Sequence, residues 1–229
     1  MSSSADPLPS GLESVLESAA RLQELVPDAV MVGGSAAAYY AHHQRSLDHD
    51  HVLDDLRDRF DIVLDALERD GEFVLNRAVP GKIILGELGG TEVGVRQLIR
   101  ERPLEVQQVA LPSGATIRVP TLEEISRIKA YLIVKRNQMR DYLDLAALSG
   151  QFGADRIGTA LAGIDDWYRD SSHPDDRPVQ SQLARQLANP GPRDHSRVGT
   201  LSRYKGLESR WHTWDAVVTE CRRLVPYIS

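Results

Sequence analysis

Apolar residues in the first half of the chain recur with helical spacing in some stretches and in short continuous runs in others. From Gly11 to Val26 they lie three and four positions apart, which predicts an amphipathic helix. Glycine and polar residues at the ends of the other stretches mark where one element stops and the next begins. The elements predicted after this helix are a strand over 29–32, a helix over 36–43, a strand over 47–53 and a helix over 54–70.

The next stretch is rich in β-branched residues and predicts strands joined by tight turns. Residues 82–88 and 91–98 flank Gly89-Gly90, and a Gly-Gly pair between such runs predicts a β-hairpin. Residues 104–111 and 115–119 predict a second pair of strands around a Pro-Ser-Gly turn.

From Pro120 onwards the pattern is helical. Thr121 can cap a helix with Glu124 three positions later, so a helix should begin at Leu122 and continue through Arg136 to Ser149. The remaining predictions are helices over 154–168, 179–188 and 211–227, polar connectors over 170–178 and 189–197, and a disordered lead-in over 1–10.

A mixed half followed by a helical half predicts an α+β protein with two parts. Residues 1–120 should form a mixed β-sheet with flanking helices, and residues 121–229 an all-helical C-terminal subdomain.

Composition narrows the class of protein. The 229 residues are 41% hydrophobic and 26% charged, which is typical of a soluble globular protein. The net charge of −6 argues against a constitutive, non-specific nucleic-acid binder, although an enzyme could still meet RNA through a local basic face. The single Cys221, the absence of a signal-peptide pattern and the lack of any run of ~20 apolar residues predict a cytoplasmic protein with no membrane association.

Gly33-Gly34-Ser35 lies between a predicted strand and a predicted helix. The first N–H groups of a helix are unpaired, and its dipole is positive at that end, so such a turn favours an anion. Glycines allow the backbone close to that anion, and Ser35 could cap the helix or bond a phosphate oxygen.

Asp48 and Asp50 lie two positions apart in the predicted strand that follows. Their side chains should therefore share one face, where two carboxylates can hold one or two Mg²⁺ ions. A phosphate-binding turn beside metal-binding carboxylates is the equipment for transfer chemistry on a nucleoside triphosphate.

A second group of charged residues lies on the first C-terminal helix. If the helix is unbroken at Asn137, Arg136 and Arg140 each lie about 20° around the axis from Lys129. These cations would form one basic stripe that holds a triphosphate and stabilises the leaving pyrophosphate. Asp144 would lie near the stripe and Asp141 further round.

In this order, the motifs resemble those of the nucleotidyltransferase superfamily, and more closely its AbiEii/MenT-like branch of bacterial toxin–antitoxin toxins. The residues that carry the resemblance span about 29–148 and comprise Gly33-Gly34-Ser35, Arg45-Ser46-x-Asp48-x-Asp50, Lys129 and Arg140-Asp141-x-x-Asp144.

The resemblance implies a nucleotidyltransferase-like sheet and transfer of a nucleoside monophosphate from a triphosphate to an acceptor hydroxyl, with Mg²⁺ or Mn²⁺ as cofactor. It also implies the 3′ end of a tRNA as acceptor and a cognate antitoxin protein as partner. The implied catalytic residues are Asp48, Asp50, Lys129, Asp141 and Asp144, and the implied nucleotide-binding residues are Gly33, Gly34, Ser35, Arg45, Ser46, Lys129, Arg136 and Arg140.

Two positions depart from the family pattern. The resemblance implies a third metal-binding carboxylate on a later strand, where this chain has Gly94. Glu92 shares the face of Gly94 and is the candidate third ligand, ahead of Glu87 across the hairpin. His49 lies between the two aspartates, where the resemblance implies an apolar residue facing the core.

Several alternatives stay open. The glycine turn and the charged residues could serve structure and solvation alone, and four histidines near the aspartates are a less favoured zinc site because their side chains should point in different directions. An enzyme of the same fold acting on a small molecule or a protein hydroxyl suits the acidic net charge. The presence of Gly94 in place of a carboxylate favours a catalytically degenerate binding or partner module.

Overall fold

The computed structural model describes residues 11–100, 102–169, 178–204 and 206–228. Their contacts divide the chain into two compact units. The first unit runs to Leu98 and includes Gln108–Val119, and the second comprises Ile99–Gln107 and the chain from Pro120 onwards. Residues 99–107 therefore group with the helical part, although the predicted division at residue 120 assigned them to the first part.

The first unit is built on a mixed five-stranded sheet in the order β1-β2-β5-β4-β3. The β2 and β5 strands run parallel, and the other neighbouring pairs are antiparallel. The elements up to this sheet's last strand are α1 (Leu12–Leu25), β1 (Val30–Val32), α2 (Gly33–Ala41), β2 (Asp48–Leu53), α3 (Phe60–Glu68), β3 (Phe73–Val79), β4 (Ile83–Leu88) and β5 (Thr91–Gln97).

One face of this sheet packs against α1 and α3. Apolar side chains from both helices and from alternate positions of the strands are buried together there, among them Leu22, Val63, Ile84 and Val95. Burying them removes apolar surface from water, which is the main favourable term in folding. The alternate positions of β2 and β5 place Asp48, Asp50, Glu92 and Arg96 on the opposite face.

The second unit is helical. A two-stranded sheet of β6 (Val106–Ala110) and β7 (Thr116–Pro120) precedes it in the chain. The helices are α4 (Leu122–Arg136), α5 (Met139–Phe152), α6 (Ala154–Leu161), α7 (Val179–Ala188) and α8 (Trp214–Ile228), with short 3₁₀ helices over Ile164–Asp166, His195–Arg203 and Ser209–Trp211. The mixed α/β class with a flanked sheet and following helices is confirmed.

Several predicted boundaries are wrong for local reasons. The helix predicted over 54–70 begins only at Phe60, because the preceding residues form a turn in which Arg59 Nε donates to Asp55 Oδ1 at 2.7 Å. The β3 strand was not predicted because it is an edge strand with a bulge after Leu75 and lacks alternating burial. The lead-in over 1–10 and the connector over 170–177 lie outside the described residues.

The predicted helix through Asn137 is also wrong. Asn137 adopts a left-handed conformation with φ of 51°, which ends α4 and lets α5 start in a new direction. Its side chain accepts a hydrogen bond from the Tyr142 hydroxyl at 2.6 Å and donates one to the Gly191 carbonyl at 2.9 Å. The basic stripe that depended on one continuous helix therefore does not form as predicted.

Candidate functional site

Asp48 and Asp50 both point away from the apolar core, on the polar face of β2. Alternate residues of this strand are buried, and both aspartates are among its partly exposed residues. They line a cleft of about 300 Å³ in the first unit together with Glu92 and Arg96. The predicted shared face of the two aspartates is the arrangement found.

The strand that carries Asp48 is fixed by two buried hydroxyl groups. Ser35 Oγ donates a short hydrogen bond to the Asp48 carbonyl and lies 2.7 Å from Ser46 Oγ. Ser46 Oγ also lies 3.4 Å from Asp48 Oδ1. The expectation that Ser35 caps α2 is wrong, since α2 has no side-chain cap. The two serines position Asp48, and a phosphate could reach Ser35 only if this network opened.

Two glycines leave room around Asp50. Gly33 has φ of 78°, and a Cβ built on it would lie 3.4 Å from Asp50 Oδ2. Gly94 is the β5 partner of Asp50, and a Cβ there would overlap Asp50 Oδ1. The start of α2 therefore lies beside the carboxylate, as an anion-binding turn next to a metal-binding group requires.

Charged groups of β5 complete the cleft. Glu92 is exposed and pairs in register with Asp48. Arg96 Nε donates to Asp50 Oδ1 at 3.3 Å, and 47% of the Arg96 side chain is exposed. Arg96 was not among the expected site residues. Its position two residues after Gly94 on a strand was the available signal.

The opposite side of β2 carries two buried histidines. His49 Nε2 lies 3.0 Å from Ser18 Oγ, and His49 Nδ1 lies 3.4 Å from His51 Nδ1. Burial lowers the pKa of His49 to about 4 and that of His51 well below its ordinary value. His49 thus occupies the core-facing position where an apolar residue was implied, as a neutral imidazole.

The predicted C-terminal site residues lie in the second unit. Lys129 Nζ contacts Asp144 Oδ2 at 2.6 Å, and only 2% and 3% of these side chains are exposed. Arg140, four residues before Asp144, is exposed. Lys129 thus joins α4 to α5 in a buried ion pair.

A second ion pair spans the break between the same two helices. Arg136 makes a two-pronged contact with Asp141, with Nε and Nη2 lying 2.7 and 2.6 Å from the carboxylate oxygens. Asp141 is fully buried, whereas 45% of the Arg136 side chain is exposed. Of the predicted basic group, Arg140 and part of Arg136 therefore face solvent.

Arg45, the remaining predicted nucleotide-binding residue, is exposed, and its guanidinium lies against Gly11 at the start of α1. A Cβ on Gly11 would collide with it.

Comparison with solved structures decides the fold. The nucleotidyltransferase toxin MenT4 from Mycobacterium tuberculosis superposes with a TM-score of 0.58 and 14% identity, covering 95% of this chain and 82% of that chain. The chain has the nucleotidyltransferase fold. The nucleotidyltransferase-like fold implied by the sequence motifs is thereby confirmed.

Sequence comparison adds relatives of a different description. No family model matches the chain. The heme uptake protein MmpL11 of M. tuberculosis is 29% identical over 231 residues, which is 90% of this chain and 22% of that protein. The mycolic acid-containing lipids exporter MmpL11 of Mycolicibacterium smegmatis is 35% identical over 135 residues, which is 57% of this chain and 13% of that protein. The chain thus spans about a fifth of the first of these relatives, and none of its described helices is long and apolar enough to cross a membrane.

Asp48 and Asp50 are the residues of this cleft that could hold a divalent cation. Mg²⁺ is commonly bound by one or two carboxylates together with substrate phosphates, and Asp48 and Asp50 supply two. The Asp50 carboxylate packs against Gly33 and Gly94, and 37% of its side chain is exposed. Within the described part of the chain, no three histidine, cysteine, aspartate or glutamate side chains are grouped closely enough to hold a metal ion. Glu92 as a third ligand stays a prediction.

Proposed function

We propose that this protein is a Mg²⁺- or Mn²⁺-dependent nucleotidyltransferase that transfers a nucleoside monophosphate from a triphosphate to an acceptor hydroxyl. The observation that supports this most is the pair of carboxylates, Asp48 and Asp50, that line one cleft on a nucleotidyltransferase fold, with the backbone of Gly33 beside Asp50. A cytoplasmic location is part of the proposal, in keeping with the single, buried, unpaired Cys221.

The residues of the cleft divide the work. When bound, the divalent cation would polarise the phosphate oxygens and neutralise charge on the leaving pyrophosphate. Asp48 and Asp50 would hold it, and the serine hydroxyls behind β2 would keep Asp48 in place. The N–H groups at Gly33 and Gly34 would face a phosphate, because the glycines bring the backbone close.

The second unit has a narrower proposed role than its motif suggested. Arg140 is exposed and 45% of the Arg136 side chain is exposed, and both stay proposed nucleotide-binding residues. Lys129 and Asp144 are buried against each other and would act mainly by fixing α4 on α5. Asp141 would act by orienting Arg136.

The 3′ end of a tRNA is the proposed acceptor and an antitoxin protein the proposed partner, with the fold shared with a toxin as support. A labelling assay tests acceptor and activity together, with each α-labelled triphosphate, Mg²⁺ and bulk tRNA. The wild type and Asp61→Asn, which changes an exposed aspartate on α3, should label tRNA, and Asp50→Asn should not. If the label appears on protein or on a small molecule instead of tRNA, that molecule is the acceptor and the tRNA proposal is wrong.

A second candidate is a binding module without catalysis. The contact of Arg96 with Asp50 favours it, because a guanidinium there can satisfy the carboxylate without a metal. Isothermal titration with Mg²⁺ and each triphosphate separates the two functions. If no label is transferred and no Mg²⁺-dependent triphosphate binding is measured, the enzyme proposal is wrong and the binding module is favoured.

A further inference from the structure

The charges around Asp50 differ from those of a site built to hold two cations. A two-metal site must supply ligands to two divalent ions that lie about 4 Å apart. Within the described residues, no three histidine, cysteine, aspartate or glutamate side chains are grouped so as to hold a metal ion. In the cleft, the Arg96 guanidinium of β5 contacts Asp50, one of the two β2 carboxylates, and Glu92 lines the same cleft.

Gly94 and Arg96 are adjacent on the polar face of β5, since residues two apart on a strand share a face. Gly94 pairs with Asp50 and Arg96 with Val52 in the parallel register. A side chain at position 94 would enter the space of Asp50 Oδ1, the same oxygen that accepts from Arg96 Nε at 3.3 Å. The missing side chain at 94 therefore lets Asp50 reach the guanidinium.

A guanidinium and a metal ion both carry positive charge, and either can bind a phosphate oxygen. Arg96 is only half exposed and lines the cleft, so it can turn from Asp50 towards a phosphate without leaving the site. Arginine is suited to this because its fork of N–H donors matches phosphate geometry and it stays charged at all accessible pH values.

We propose that the cleft binds a single divalent cation through Asp48 and Asp50, and that Arg96 supplies the second positive charge to the triphosphate. Arg96 pairs with Asp50 in the free protein and moves to phosphate in the loaded one. This inference rests on the proposed function, since it assigns a triphosphate to the cleft.

Crystals of the full chain grown with Mn²⁺ and inorganic tripolyphosphate test the cation count directly. Tripolyphosphate makes the outcome independent of the base. One anomalous peak at Asp48 and Asp50, with the Arg96 guanidinium within hydrogen-bond distance of a phosphate oxygen, is the expected result. Two peaks at these carboxylates would overturn the inference and leave the proposed function standing. No peak there would overturn both.

Calorimetry on the Arg96→Gln variant gives a second test, because the affinities for Mn²⁺ and for tripolyphosphate should change in opposite directions. Mn²⁺ alone should bind about two- to five-fold more tightly, because Asp50 loses a competing ion pair. Tripolyphosphate with Mn²⁺ should bind about tenfold more weakly, because a charge-assisted hydrogen bond is lost.

Arg69→Gln is the matched control, since Arg69 also pairs with an aspartate, Asp65, but is an exposed residue just after the end of α3. It should change neither affinity. Unchanged tripolyphosphate affinity in Arg96→Gln would refute the role of Arg96.

Discussion

The backbone at Gly33 is the residue-scale feature on which the anion-binding turn depends. Its left-handed φ of 78° is strained for any residue with a Cβ, and that Cβ would stand beside Asp50. Gly90 has nearly the same φ, 80°, but a Cβ there meets nothing within 4 Å. Substitutions at these two glycines should therefore cause similar backbone strain, but only the one at Gly33 should crowd the cleft.

We expect Gly33→Ala and Gly90→Ala to lower the free energy of unfolding by a similar amount, about 1–2 kcal/mol. Only Gly33→Ala should also weaken Mn²⁺ binding and nucleotidyl transfer, by about tenfold or more, because its methyl group occupies the space next to the carboxylate. Urea denaturation and calorimetry measure the two effects. Equal Mn²⁺ affinity in both variants would remove Gly33 from the site.

His49 makes stability depend on pH. Its pKa of about 4 in the folded protein lies below the value near 6.5 of an unfolded chain, so between these values only the unfolded state takes up the proton. Stability contributed by the neutral imidazole is complete above about pH 6.5 and is lost as the pH falls towards 4.

From pH 7 to pH 5, His49 should account for about 2 kcal/mol of lost unfolding free energy. His49→Gln should reduce the difference between the two pH values by about that amount in urea denaturation. The exposed His212, changed to Gln, serves as control and should leave the difference as in the wild type. An unaltered pH dependence in His49→Gln would mean that its proton uptake does not accompany unfolding.

At the scale of elements, a buried ion pair connects α4 to α5. A buried ion pair contributes little net stability, but removing one partner leaves the other charge buried. Lys129 and Asp144 are such a pair. Arg156 and Glu123 make an exposed pair between α6 and α4, at 2.8 Å, in the same unit.

Lys129→Met should destabilise the protein by about 3 kcal/mol or more, and Lys129→Met with Asp144→Leu should recover most of the loss. Arg156→Met should cost less than about 1 kcal/mol. If the double variant is stable and still transfers nucleotide, the pair is structural. A stable but inactive double variant would show that Lys129 or Asp144 also takes part in the reaction.

The same elements show which features the sequence could predict. Where the spacing of apolar residues sets the structure, as in α1 and in the hairpin of β4 and β5, the expected elements are present. The break at Asn137 depends on hydrogen bonds to distant residues such as Gly191, which no local pattern contains. The shared face of Asp48 and Asp50 follows from strand geometry, whereas burial of Lys129 depends on how two helices pack.

At the scale of the whole molecule, net charge separates the candidate acceptors. A chain with a net charge of −6 can contact RNA only through a few local cations, so the interaction should be weak and sensitive to salt.

If tRNA is the acceptor, raising salt from about 50 to about 200 mM should raise the KM for tRNA by about tenfold or more, as two or three phosphate contacts require. A small-molecule acceptor that carries no charge should show little change. Initial rates of labelling at several salt concentrations, with pyrophosphate release as a common readout, measure both. A salt-independent KM for tRNA would argue against recognition through phosphates.

The position of residues 99–107 limits where recombination could divide this chain. Arg100 Nη1 lies 2.8 Å from the buried carboxylate of Glu124, and Arg127 Nη2 lies 2.9 Å from Glu105, so this segment belongs with α4 although the first unit's chain precedes and follows it. A gene cut at residue 120 would separate these partners, and neither product would be a complete module. Recombination should therefore transmit both units together.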